Sequence, residues 1–300
     1  MSQTTDESIS GGQHNGPDTS NDEPPLVRRT MRFGYGADTP AIWTPDKPEF
    51  SWAANSLSLM MPHIEPYFVQ SMRRALPDLP PEQHERVRNY MAQESAHQGQ
   101  HKLFNRILCT HYPQLKPVDK KLAQLFEGLG HRSQSFNLAF TAASETIAYA
   151  IARWAAKRRL ELFSQADERV ANMFLWHLAE EVEHKTVAFD VEQELGGGRL
   201  RYIQGLIASI LIWASFVLVG ILIMGWVDRR LHYPISWFRL TKWAITFSFE
   251  LLTASVLSAL PTYNPRNLAD PVWYDVWMRD YEFAHSEPVL PDESSIPTSL

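Results

Sequence analysis

One short spacing occurs twice in the chain: Glu94 precedes His97 by three residues and Glu181 precedes His184 by three, each inside a strongly helical stretch. Residues at i and i+3 share a helix face, so each segment can offer a carboxylate oxygen and an imidazole nitrogen to one metal ion. Two such helices, joined by one glutamate from each of two others, make a dinuclear site in a four-helix bundle. The fold is thereby constrained to bring four helices around a common centre.

The flanking helices supply the other two carboxylates. Ser51 to Leu76 is apolar through Leu57, Met61, Phe68 and Met72, and its one central carboxylate is Glu65. Ser133 to Leu160 reads as a long alanine-rich helix whose one mid-helix carboxylate is Glu145. The expected metal ligands are therefore Glu65, Glu94, His97, Glu145, Glu181 and His184. Glu65 stands between Pro62 and Pro66, which leaves two readings: a broken helix with the carboxylate at a solvent-facing turn, or a kink that aims it inward.

Glu180 lies four residues before His184 and competes with Glu181. Repetition of the Glu94–His97 spacing favours Glu181, with Glu180 as a carboxylate that orients an imidazole and Glu183 turned to solvent. At 100° per residue, His101 falls between the directions of Glu94 and His97, and His177 between those of Glu181 and His184. If the second and fourth helices run antiparallel, His101 and His177 meet at one end of the bundle. There they can add a ligand, deliver protons or bond a ligand carboxylate. His101, His177 and Glu180 are the candidate catalytic residues.

The segments Met61-Pro62-His63-Ile64-Glu65, Gln93-Glu94-Ser95-Ala96-His97 with His101 and Asn105, Trp176 to Lys185, Val187 to Val191 and Tyr263-Asn264-Pro265 carry a family resemblance. The chain resembles the ferritin-like proteins known as predicted metal-dependent hydrolases, relatives of the di-iron carboxylate enzymes, from roughly Ser51 into the C-terminal region. It departs from their pattern at Thr146, where a histidine is expected after the glutamate. The resemblance implies an all-α fold built on a ferritin-like four-helix bundle. Four carboxylates offset the charge of two divalent ions, so the expected cofactor is two iron ions, with manganese or zinc as alternatives. By analogy the expected activity is that of a non-haem di-iron oxidase or oxygenase. A metal-dependent hydrolase with a dinuclear site is the alternative, and a non-enzymatic iron-handling or sensing protein the third reading.

Tyr202 to Val227 holds no ionisable carboxylate or basic group and is long enough to span a bilayer. Arg199, Arg201, Arg229 and Arg230 bracket it, and Trp226 marks one edge. A second apolar stretch, Ile235 to Leu260, is interrupted by Arg239, Lys242 and Glu250 and is expected to return the chain as a membrane-associated helical hairpin. The expected organisation is a disordered or extended tail at 1–50, the dinuclear bundle at 51–198, membrane-inserted helices at 199–260 and a C-terminal tail at 261–300 packing partly on the bundle. The tail's start lacks a secretion signal, which places the metal domain in the cytoplasm and the protein at the inner, cytoplasmic membrane.

Composition removes other classes. A formal charge of −6 with no basic run argues against a nucleic-acid partner. The single cysteine, Cys109, excludes an internal disulfide. The expected partners are dioxygen, an electron donor, the membrane, a lipophilic small-molecule substrate drawn from it and, for assembly, a second copy of the chain in a homodimer.

Overall fold

The computed structural model describes residues 26–285, so His14 and the rest of 1–25 lie outside it, as do 286–300. All regular structure among the described residues is helical. In chain order the helices are α1 (Pro48–Ala75), α2 (His84–His111), α3 (Lys116–Gly130), α4 (Gln134–Ala156), the short α5 (Arg159–Phe163), α6 (Glu168–His184), α7 (Val187–Leu195), α8 (Arg199–Val227), α9 (Pro234–Ser258) and α10 (Val272–His285). Helix α1 packs along α2 and against α4, and α6 packs on both α2 and α4. These four helices surround the site.

Their ends follow local chemistry. Pro48 opens α1, where its missing N–H costs nothing. Ser133 Oγ caps α4 by accepting from the Phe136 N–H at 3.3 Å, and the Asp167 carboxylate caps α6 through the N–H groups of Arg169 and Val170. Pro62 and Pro66 sit inside α1 without breaking it. Proline at 62 has no N–H to offer the Ser58 carbonyl one turn earlier, and Asn105 Nδ2 of α2 donates to that carbonyl instead, at 2.7 Å. Glu65 is 1% exposed and faces the interior, so the broken-helix reading gives way to the inward one.

The segment 26–47, expected as part of a disordered or extended tail, is without helix or strand and packs on the bundle. Leu26, Phe33 and Trp43 are buried, with Trp43 stacked on Phe174 of α6 at 5.1 Å between ring centres. Polar composition concealed these anchors, which are spaced too irregularly for any periodic pattern.

Helix α8 lies against α1 and α4. Its buried residues Tyr202, Gly205, Leu206, Ser209 and Trp213 recur at helical spacing on one face, and Ser209 Oγ bonds Ser144 Oγ at 3.0 Å. A Cβ at Gly205 would stand 2.6 Å from the Ala139 carbonyl carbon, so only glycine permits that approach. Among the described residues α8 alone is long and apolar enough to cross a membrane, and only 22% of its most apolar window is buried. Helix α9 does not meet that measure, because Arg239, Lys242 and Glu250 interrupt it. Each of the three turns back to an ion pair: Arg239 with Glu49 at 3.1 Å, Lys242 with Glu161 at 2.9 Å, and Glu250 with Arg153 at 3.2 Å. Ile245, Phe249 and Leu252 are left exposed on its outer side.

Candidate metal centre

Helix α1 contributes Glu65, α2 contributes Glu94 and His97, α4 contributes Glu145, and α6 contributes His177, Glu181 and His184. All seven are buried. Their ligand atoms form two groups, Glu65 with His97 and His177, and Glu94 with Glu145, Glu181 and His184, and within each group the atoms lie within 4.8 Å of one another. Glu181 stands between the groups. Its Oε1 is 2.7 Å from His177 Nε2 and 4.0 Å from His97 Nδ1, while its Oε2 is 3.7 Å from His184 Nδ1.

The donor set passes a test of fit to metal. Both oxygens of Glu65 and of Glu94, Oε2 of Glu145 and of Glu181, and Nδ1 of His97 and of His184 are buried and make no hydrogen bond within the protein. Leaving so many acceptors unsatisfied in one place is costly unless cations take their lone pairs. His184 Nδ1 comes within 2.8 Å of Glu94 Oε1, but the direction is wrong for a hydrogen bond. The two orphaned imidazole nitrogens are each presented by the bond made on the far side of the ring. His97 Nε2 donates to Glu180 Oε2 at 2.8 Å, and His184 Nε2 donates to Gln93 Oε1 at 3.0 Å. Gln93 Nε2 donates to Val27 O and Glu183 Oε2, which fixes its amide with the oxygen toward His184. Such bonds set the tautomer and turn the free nitrogen to the ion.

Glu180 therefore stands behind His97. Its carboxylate accepts from His97, from Trp176 Nε1 at 2.9 Å and from Arg29 at 2.9 Å, and it does not belong to either ligand group. Glu183, expected in solvent, is instead held by Arg29 at 2.6 Å, by Gln93 and by Tyr274 at 2.9 Å. Arg29 supplies the reason, because it brings a cation from the packed N-terminal segment to two carboxylates on α6.

His101 Nε2 lies 2.6 Å from His177 Nδ1, and His101 Nδ1 lies 2.8 Å from Ser58 Oγ. The Asn105 amide donates to the Ser58 carbonyl, so its oxygen accepts the Ser58 hydroxyl proton at 2.7 Å. Ser58 Oγ must then accept from His101 Nδ1–H and His101 Nε2 from His177 Nδ1–H, while His177 Nε2 lies within hydrogen-bond distance of Glu181 Oε1, at 2.7 Å, and 3.6 Å from Glu65 Oε1. His177 thus reaches the metal groups, while His101 acts through it.

Electrostatics point the same way. Burial, reinforced for Glu65 and Glu145 by the neighbouring glutamates, raises the carboxyls of Glu65, Glu94 and Glu145 above the ordinary range. Burial also opposes the charge on Glu181, yet His177 and His184 hold it well below that range. His184 is raised against burial by Glu94 and Glu181. Burial and then the nearness of His177 lower both His97 and His101. Clustered buried carboxylates that resist ionisation together form a site lacking positive charge.

Tyr90 and Arg29 escaped the sequence reading. Tyr90 donates to Glu145 Oε1 at 2.5 Å and meets the His184 ring edge-on; it lies one turn before Glu94 on the same face, so helical spacing could have found it. Arg29 carried no periodic signal. Tyr149, one turn past Glu145, instead bonds Ala269 O at 3.0 Å and Asp270 Oδ1 at 3.3 Å.

A family model described as a predicted metal-dependent hydrolase matches residues 27–268. The chain belongs to this family. No curated protein and no solved structure matches it. Membership in the metal-dependent hydrolase family corrects the expectation of a di-iron oxidase or oxygenase and favours the hydrolase alternative. Carboxylate and imidazole ligands serve both kinds of chemistry, which is why ligand spacing could not separate them. The findings support a metal-dependent helical protein with buried His/Glu groups able to bind metal ions.

Proposed function

We propose that this protein is a hydrolase acting at a dinuclear metal centre, and that α8 holds its ferritin-like bundle at the cytoplasmic face of a membrane. The observation that carries the catalytic reading is the convergence of buried, unsatisfied carboxylate and imidazole atoms into two groups with Glu181 between them. Glu65, His97 and His177 would hold one divalent ion and Glu94, Glu145 and His184 the other, with one Glu181 oxygen turned to each. Zinc, manganese and iron all suit such ligands. Ions bound there supply Lewis acidity and water made acidic near neutral pH.

The remaining work falls to the chain. Glu180 and Gln93 hold the Nε2 protons of His97 and His184, so neither ring can turn its donor toward the centre. Asn105 and Ser58 hold the proton on His101 Nδ1, leaving the His177 Nδ1 proton shared with His101. Membrane attachment is supported by the length of α8, its uncharged run from Tyr202 to Val227 and its exposed Leu211, Leu218 and Trp226.

The test is metal analysis of protein purified without added metal, followed by an ester and amide panel on zinc- and manganese-loaded samples. Stoichiometry near the two ions that the two groups imply, with ester or amide cleavage lost in Glu181→Ala, is the expected result. Cleavage that survives complete removal of metal, or a metal-loaded protein that cleaves nothing in the panel, ends the reading.

A further inference from the structure

A cavity of about 410 Å³ leads from the metal centre to the outside of the bundle. Its inner end is lined by Glu65, His177 and Glu181, and its walls by apolar residues of α1 and α4. Its outer end lies between α8 and α9, where Ala214, Leu218, Ala244 and Phe247 border it. Ala214 and Ala244 are exposed and Leu218 is 56% exposed, so the cavity opens there, between two helices whose outer faces are apolar. The volume falls in the range of small-ligand sites.

Two features narrow the occupant. No lysine or arginine lines the cavity, so an anionic ligand would cross its apolar walls uncompensated on the way to the centre, whereas a neutral acyl ester meets no such penalty. Trp213 of α8 lines it, is 93% buried by its 7% exposure, and its indole N–H has no acceptor in the protein. A buried donor of that kind calls for an oxygen on the ligand.

Resting on the hydrolase reading, we infer that the substrate is a neutral long-chain acyl ester, which enters between α8 and α9 and lays its hydrocarbon chain in this cavity with the ester at the metal centre. Water adds its oxygen to the acyl carbon, and the bond from that carbon to the alcohol oxygen breaks. One water proton ends on the leaving alcohol and the other is released from the fatty acid, which departs as its carboxylate. No oxidant or reductant takes part. The same mouth returns the acid to the surface from which the ester came.

The test uses methyl hexadecanoate carrying a photoreactive diazirine at the chain end, added to the full chain stripped of metal, with adducts mapped by peptide mass spectrometry. Adducts are expected on cavity-lining residues such as Leu218 and Phe247. Tethering by ligands of increasing chain length should strengthen by roughly fourfold per methylene that reaches apolar wall. Ala244→Trp, which fills the mouth from an exposed position, is expected to cut labelling at least tenfold. Trp213→Phe, which removes the donor and keeps a ring, is expected to cut it several-fold. Circular dichroism shows whether each variant is folded, and a misfolded Ala244→Trp is replaced by Ala214→Phe at the same mouth. Adducts confined to the outward Leu211 and Phe249, or labelling unchanged by both mouth and donor variants, overturn the inference. Cavity labelling in a metal-loaded protein that cleaves no ester refutes the hydrolase reading and with it the assignment of the ligand as substrate. Ester cleavage without cavity labelling leaves the hydrolase standing and removes the proposed route.

Discussion

His97 and His184 are placed by the same device: a partner on the far ring nitrogen, Glu180 for one and Gln93 for the other, turns Nδ1 to the centre. Outer partners of this type commonly govern metal affinity by 10–100-fold, as an order of magnitude. Glu180→Gln keeps the shape and removes the charge that also faces Arg29 and Trp176. Its expected effect is a metal affinity lower by about that factor at unchanged helix content, checked by metal titration beside circular dichroism. An unaltered affinity would remove Glu180 from its orienting role. At this scale the ligand spacing was open to reading because helix geometry is local, and so were His101 and His177, now found 2.6 Å apart. The fate of Glu183 was not, since the cation that buries it arrives from an irregular segment more than 150 residues away.

Among the elements, α8 departs from ordinary core packing. One narrow face with Gly205 and Ser209 meets α4, while Leu211, Leu218 and Leu222 remain outside. Gly205→Ala places a methyl against the Ala139 backbone, which cannot yield as a flexible side chain would. The expected cost is about 1–3 kcal/mol, read as a lowered midpoint in thermal or denaturant unfolding. A variant as stable as the parent would show that α8 is free to shift on α4. Element identities were legible from composition and period. The course of α1 through Pro62 and Pro66 was ambiguous, because whether a proline breaks a helix depends on what satisfies the carbonyl it leaves behind. Asn105, on another helix, does so here. The charges of α9 were read as interruptions of a span, and only their partners Glu49, Glu161 and Arg153 show that they face the bundle.

For the whole molecule, metal content and pH should act together. Above about pH 7.5 the unfolded chain has ionised carboxylates and almost wholly neutral histidines, so His97, His101 and Glu181 no longer give an appreciable slope. Glu65, Glu94, Glu145 and His184 are raised, so the folded metal-free protein retains protons that the unfolded chain has lost. The folded state binding more protons, stability must fall as pH rises through this window. The expected result is a melting temperature of chelator-treated protein that declines from neutral to alkaline pH, with zinc or manganese restoring it and flattening the decline. A metal-free protein that gains stability over the same range would contradict the site. The sequence alone settled that the chain is helical, that its carboxylates and histidines recur at ligand spacing, and that one later segment is apolar enough to cross a membrane, because these depend on neighbours within a few turns. Only the tertiary structure decided which atoms are orphaned, which carboxylate stands behind a ring and where a cavity opens. Those depend on groups far apart in the chain competing for the same buried hydrogen bonds and space.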